Sequence, residues 1–281
     1  MEPDAGANVL VTTALGDKAL ITMLACFKAG LTPCFVPVDL DADALTGQLG
    51  QLEAPIAIGS GEYGELRPLL ALREAAMRSF HLRLAAGFGP SVPDGVADLG
   101  VVMAEDIPLP APSKAAKNGR ISFMSPQDRN RAGIVLDEPV LIAASLEVAR
   151  ELRATPGSRI ITTMVGMDLA SLASSFGTGL MAGLEVTPLG LFSLARLWAC
   201  LSGSIATHLV VPAALEEALV QTGVTSHKAL ASLILVHAEG FDETAVAAKG
   251  PSAAIVGCAT LDIWRPQPGG ITVRRRHAHA T

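Results

Sequence analysis

Aromatic side chains are scarce in this chain: one tyrosine, two tryptophans and eight phenylalanines in 281 residues. A sizeable core must therefore be filled with Ala, Leu, Val and Ile, and half of the residues are hydrophobic while only 17% are charged. This balance favours a buried, alanine-rich α/β protein of one large or two modest domains. Positive charge is also in short supply. The formal net charge is −6 and the pI about 5.5, which argues against nucleic acid as the main partner. The one basic cluster is Arg274-Arg275-Arg276-His277-Ala278-His279, and a solvated tail is expected there. Four cysteines, Cys26, Cys34, Cys200 and Cys258, lie far apart inside apolar stretches without a C-x-x-C pair. Buried reduced thiols are expected of them, and no metal site. The amino terminus, MEPDAGAN, is acidic and has no basic region followed by an apolar core, so no signal peptide is expected and the cytoplasm is the expected compartment. No membrane span is expected either. The uncharged run between Asp168 and Glu185 is shorter than the ~18 residues that suggest one and reads as a buried helix.

What is present is an alternation of strand-like and helix-like segments. Asn8 to Thr13 reads as a strand, and Asp17 to Ala29 carries apolar residues at helical spacing and stops at Gly30. Thr32 to Val36 is the next strand, followed by a helix at Asp43 to Leu52, a strand at Pro55 to Ile58, a helix near Glu62 to Arg78 and a strand near Phe80 to Leu84. Such alternation implies a parallel sheet with covering helices. Residues 89–119 contain Pro90, Pro93, Pro108, Pro110 and Pro112 and read as a connection with one short strand at Gly100 to Met103. Beyond it come strands at Arg159 to Met164, Glu185 to Pro188, Thr207 to Val211 and Leu230 to Val236, with helices between them and a hairpin from Ile263 to Val273. The expected organisation is a first α/β lobe over 1–88, a Pro-rich connection over 89–119 and a second α/β lobe over 120–281. No internal repeat is evident.

The stretch Ile121 to Glu138 has the frame of a phosphate-gripping loop. A strand, Ile121 to Met124, runs into a polar turn from Ser125 to Ala132, and a second strand, Gly133 to Leu136, brings the chain back to a helix at Asp137. Without a gap, these residues resemble the signature T-S-G-T-T-G-x-P-K-G of the adenylate-forming enzymes, the superfamily of acyl-CoA synthetases, luciferases and adenylation domains. Ser125 and Gly133 keep their identities. Pro126 and Arg129 stand where the resemblance expects glycines, which let a backbone approach phosphate closely. Proline has no N–H to donate. Gln127 and Asp128 replace hydroxyl residues, so a carboxylate faces the phosphate position and repels it. Ala132 replaces the lysine, with only Arg129 or Arg131 nearby as cations.

Further matches follow the order of that superfamily. Lys28-Ala29-Gly30-Leu31-Thr32-Pro33 is similar to its A-G-x-x-P step, Thr207-His208-Leu209-Val210-Val211-Pro212 to its V-T-H-L-x-x-V-P step, and Leu230 to Val236 to its L-S-S-L-R-x-V strand. The resemblance implies the α/β large domain of an acyl-CoA synthetase, without the mobile carboxy-terminal domain that brings a catalytic lysine. It also implies where ligand should sit. Met167 and Asp168 stand where the superfamily shapes its acyl site, His237 and Gly240 flank its glycine-rich turn beside the nucleotide, and Gly257 and Thr260 fall in its Y-G-x-T-E stretch. Here Val256 to Leu261 lacks both the aromatic ring that stacks on adenine and the glutamate that helps hold magnesium, so Mg²⁺ has no obvious anchor. His237 and Glu239 are an acid/base pair by type, yet alternate residues leaving a strand point to opposite faces. His208 is expected to bond backbone at its strand start.

These losses make no residue a catalytic candidate and imply no cofactor. The expected function is a non-catalytic acyl-CoA synthetase-like protein, a pseudoenzyme that binds a protein partner or a second copy, or retains an acyl or CoA-like ligand. Two rivals remain: an AMP-forming acyl-CoA ligase, using ATP, Mg²⁺ and CoA through altered loop residues or a second chain, and a ligand-sensing regulator. Fold likeness does not separate them.

Overall fold

The computed structural model describes Asp4 and residues 6–105, 119–124, 133–238, 258–265 and 270–276. The chain divides into two compact units, Met1–Pro139 with Gly166–Asp168, and Val140–Val165 with Leu169–Thr281.

The first unit is a seven-stranded sheet. Its strands are β1 (Asn8–Thr12), β2 (Thr32–Phe35), β3 (Ile56–Ser60), β4 (Leu84–Phe88), β5 (Ala97–Asp98), β6 (Arg120–Phe123) and β7 (Ile134–Asp137). They lie in the order β5-β4-β3-β1-β2-β6-β7. All pairs are parallel except β6–β7. The parallel connections carry α1 (Asp17–Ala29), α2 (Ala42–Leu52) and α3 (Pro68–Ala76). Leu10 of the central strand packs with Leu45 and Leu49 of α2 and Leu69 and Leu72 of α3. These side chains sit on one stripe of each helix, the arrangement that buries an amphipathic face against a sheet. Gly30 ends α1 in the left-handed region at φ 72°, and Asp41 Oδ1 caps α2 by accepting from the Ala44 N–H at 2.8 Å.

Two readings of this region change. The segment Gly100 to Met103 is not a strand but part of the helix α4 (Leu99–Ala104), started by Asp98 Oδ1, which accepts from the Gly100 and Val101 N–H groups. The boundary also moves. Residues 120–137 do not open the second unit, because β6 pairs with β2 through Cys34↔Ser122 and Phe35↔Phe123 and Phe35 stacks on Phe123.

The second unit has six strands: β8 (Arg159–Thr162), β9 (Glu185–Pro188), β10 (Thr207–Pro212), β11 (Leu230–Val236), β12 (Ala259–Trp264) and β13 (Thr272–Arg276). Their order is β13-β12-β11-β10-β8-β9, with only β13 antiparallel. The main helices are α5 (Glu138–Leu152), α6 (Leu169–Leu172), α7 (Thr178–Ala182), α8 (Leu194–Leu201) and α9 (Glu216–Gln221). A π-turn over Ala173–Gly177 joins α6 to α7. Residues 169–179 of this continuous helical stretch are buried although rich in hydroxyls, because the side chains of Ser174 and Ser175 donate back to the carbonyls of Ala170 and Ser171. Each hydroxyl is thereby satisfied within its own helix. Gly177 allows the helix to touch α5, since a Cβ there would lie 2.1 Å from Ser145 Oγ.

The two sheets repeat one plan that the sequence did not reveal. The order β5-β4-β3-β1-β2 in the first has its counterpart in β12-β11-β10-β8-β9 in the second. In each, the first strand ends on a Thr-Thr pair, Thr12-Thr13 and Thr162-Thr163.

Candidate functional site

Parallel sheets bind ligands beyond the carboxyl ends of their strands, at the point where the strand order reverses. In the second unit that point lies between β8 and β10. Thr163, just past β8, is buried and its hydroxyl has no hydrogen-bond partner among the described residues.

One strand further along the same edge is a cluster of charged and titratable side chains. Strand register assembles it. Leu235 of β11 is opposite Asp262 of β12, and Asp262 is opposite Arg274 of β13. Side chains two residues apart share a face of a sheet, so His237 and Arg276 fall on the face of Asp262. The His237 N–H extends the β11–β12 ladder by donating to Ile263 O at 2.9 Å. Its Nε2–H donates to Asp262 Oδ1 at 2.7 Å. Arg276 donates from Nε to Oδ2 at 2.6 Å and from Nη2 to Oδ1 at 2.7 Å. The same guanidinium grips Glu216 at the start of α9 through Nη1 and Nη2.

Asp262 is fully buried. Burial alone would raise its pKa, yet the hydrogen bonds and charges of His237 and Arg276 together hold it below the usual carboxylate range. Arg276 is correspondingly pushed further up: burial opposes its charge, and the bonds to Asp262 and Glu216 outweigh that opposition. A carboxylate in this state only accepts hydrogen bonds, so His237 carries its proton on Nε2. The Asp–His pair has the composition of an acid/base orienting unit, but the guanidinium engages both carboxylate oxygens.

A second polar cluster lies at the opposite ends of the strands. His208 of β10 receives the Ser232 hydroxyl at Nδ1, 2.8 Å away, and its Nε2–H donates to Ser158 Oγ at 3.1 Å. Ser158 in turn donates to Thr155 O at 2.7 Å, which fixes the direction of the chain of bonds. All three side chains are buried. Desolvation pushes the imidazole down to about 4, so it is a neutral cross-strand pin. Its partners are serine hydroxyls, where the sequence suggested backbone.

The residues singled out by sequence are dispersed. Ser125, Pro126, Gln127, Asp128, Arg129 and Ala132 lie outside the described residues, as do Glu239, Gly240 and Gly257. Gly133 has a structural reason for its identity: a Cβ there would meet Ser122 Oγ at 2.4 Å. Met167 is buried and Asp168 half-buried, just ahead of α6. Thr260 is a buried residue within β12. His237 is paired with Asp262, which sequence reasoning did not single out. The signal for it is a carboxylate in the middle of the apolar strand Ala259–Trp264, where an unpaired charge could not be tolerated. Arg275 and Arg276 are not a solvated tail: Arg275 Nη2 donates to Glu151 O at 2.9 Å.

No protein-family model and no curated protein sequence matches the chain. Solved structures do. It is similar to apo MatB from Rhodopseudomonas palustris, with 15% identity and a TM-score of 0.74 over 99% of this chain and 54% of that one. Similarity to the coronafacic acid ligase from Pectobacterium brasiliense is at 12% identity and a TM-score of 0.72, over 98% of this chain and 54% of the ligase. The fold is that of the adenylate-forming acyl-CoA ligases. The amide bond synthetase McbA from Marinactinospora thermotolerans shares it at 13% identity and a TM-score of 0.71, over 95% of this chain and 52% of that one. The chain thus spans about half the length of these solved structures. Among the described residues no helix is long and apolar enough to cross a membrane, and no group of three or more His, Cys, Asp or Glu side chains is placed to hold a metal ion.

Proposed function

We propose that this chain is a non-catalytic acyl-CoA synthetase-like protein, a pseudoenzyme that acts as a binding subunit, retaining an acyl or CoA-like ligand or holding a protein partner. The observation that carries this reading is the state of Asp262. An enzyme of this fold that uses ATP needs an acidic ligand for the magnesium bridging the phosphates. Asp262 is the fully buried carboxylate of β12, and Arg276 and His237 occupy its oxygens. The donor set does not fit a metal ion. The loop chemistry agrees, because Pro126, Asp128 and Ala132 remove an N–H, add a negative charge and omit a cation where a phosphate chain would be gripped.

The reading is tested by pyrophosphate release from ATP over a panel of short-chain, long-chain and aromatic carboxylic acids. No release above a protein-free control is expected. Release that is abolished by Ser125→Ala would establish an active ligase and overturn the pseudoenzyme reading.

A further inference from the structure

We propose that the first unit carries a phosphate-binding site of its own at the start of α1, independent of the loop at Ser125 and of the reading above. The strand order reverses between β1 and β3, since β1 connects to β2 on one side while β3 and β4 lie on the other. That reversal is where a doubly wound sheet leaves a crevice. Thr13 directly follows β1 at this point. It is 2% exposed and its Oγ1 has no hydrogen-bond partner among the described residues. An unpartnered buried hydroxyl is costly and calls for an occupant. By strand alternation Thr13 continues the face of Val9 and Val11, opposite the face on which Leu10 meets α2 and α3. Crossovers of one hand place α1 on that opposite face, so the hydroxyl is directed to the α1 side.

The start of α1 is itself open. Its N-cap is Gly16, with no side-chain cap, so the first N–H groups of this 13-residue helix have no side chain to receive them. Aligned peptide dipoles add a partial positive charge. Gly16 and Lys18 are half-buried and Asp17 is exposed, which leaves the helix start reachable from solvent. The Lys18 ammonium lies 5.4 Å from the centre of the Phe88 ring at the end of β4, beside the crevice. Backbone donors, a buried hydroxyl and an ammonium together suit a phosphate group. Asp17, 3.6 Å from Lys18, is an opposing charge.

The test is thermal melting of the full chain against rising inorganic phosphate, with acetate as a parallel arm. Phosphate should raise the melting temperature saturably. Thr13→Val keeps the shape and removes the unpaired hydroxyl, so it should melt about 2–4 °C higher without ligand and respond to phosphate at least tenfold more weakly. Thr13→Ser should restore the response. Asp17→Asn alters an exposed side chain, leaves the core untouched and should tighten phosphate about two- to fivefold. No phosphate response in the parent, or an equal response in Thr13→Val, overturns the site. Acetate matching phosphate overturns the assignment to phosphate, and Asp17→Asn with unchanged or weaker binding overturns its location.

Discussion

Replacing Arg276 with methionine removes the cation that makes a buried carboxylate tolerable, and the consequence can be worked through. Arg276 donates two hydrogen bonds to Asp262, which is fully buried, and two to Glu216. Breaking a buried pair from one side costs about 3–5 kcal/mol, because the remaining charge is left uncompensated. The sign of the pH dependence follows. In the parent the folded pKa of Asp262 is depressed, so its contribution is present above the unfolded value of ~3.9 and is lost as pH falls through the folded value. Without the guanidinium, burial dominates and the folded pKa rises above the unfolded one. The stability difference between parent and variant should then widen from pH 4 to pH 7. Both tryptophans, Trp198 and Trp264, lie in the second unit, so urea unfolding followed by tryptophan fluorescence reads that unit alone. Adding Asp262→Asn to Arg276→Met should recover a large part of the loss. A pH-independent loss of about 1 kcal/mol or less, the size seen for exposed ion pairs, would refute the reasoning.

Three further outcomes follow from packing and burial. Gly177→Ala places a methyl 2.1 Å from Ser145 Oγ and should cost about 1–3 kcal/mol in urea unfolding. Gly47→Ala in α2, where a Cβ would meet nothing within 4 Å, should be neutral or gain up to ~1 kcal/mol. His208 titrates at about 4 in the fold against ~6.5 when unfolded. Its share of stability, ~3 kcal/mol at 1.36 kcal/mol per pKa unit, is full above pH 6.5 and lost as pH falls to 4. His208→Gln should remove that slope, as read by comparing urea midpoints at pH 7 and pH 4.

Local features of the fold were legible where local chemistry decides them. Glu185–Pro188 and Leu230–Val236 are strands over the residues expected, because short apolar runs between turn residues have few alternatives. The short run Gly100 to Met103 had an alternative, and Asp98 at its head decided for helix by capping. Pairing between distant segments was not legible. Nothing in Arg120–Phe123 announces that it joins β2, about 90 positions earlier by the Cys34↔Ser122 register, and the repeat of strand order shared by the sheets has little echo in sequence beyond Thr-Thr. The His237–Asp262 contact, 25 residues apart, depends on register across two strands. Its visible trace was a lone aspartate in an apolar strand.

The margins of the sheets bear on how this chain meets others. An open sheet ends in unpaired N–H and C=O groups that invite another strand. Here β5 is two residues long, β7 ends on Asp137 beside Glu138, β9 runs from Glu185 to Pro188, and β13 presents three consecutive arginines. Brevity, proline and like charge at each margin oppose strand addition, and with it the edge-to-edge polymerisation to which half-hydrophobic chains are prone. Exposed apolar side chains stand instead on helices, Ile21 and Leu24 on α1 and Ile142 and Leu146 on α5.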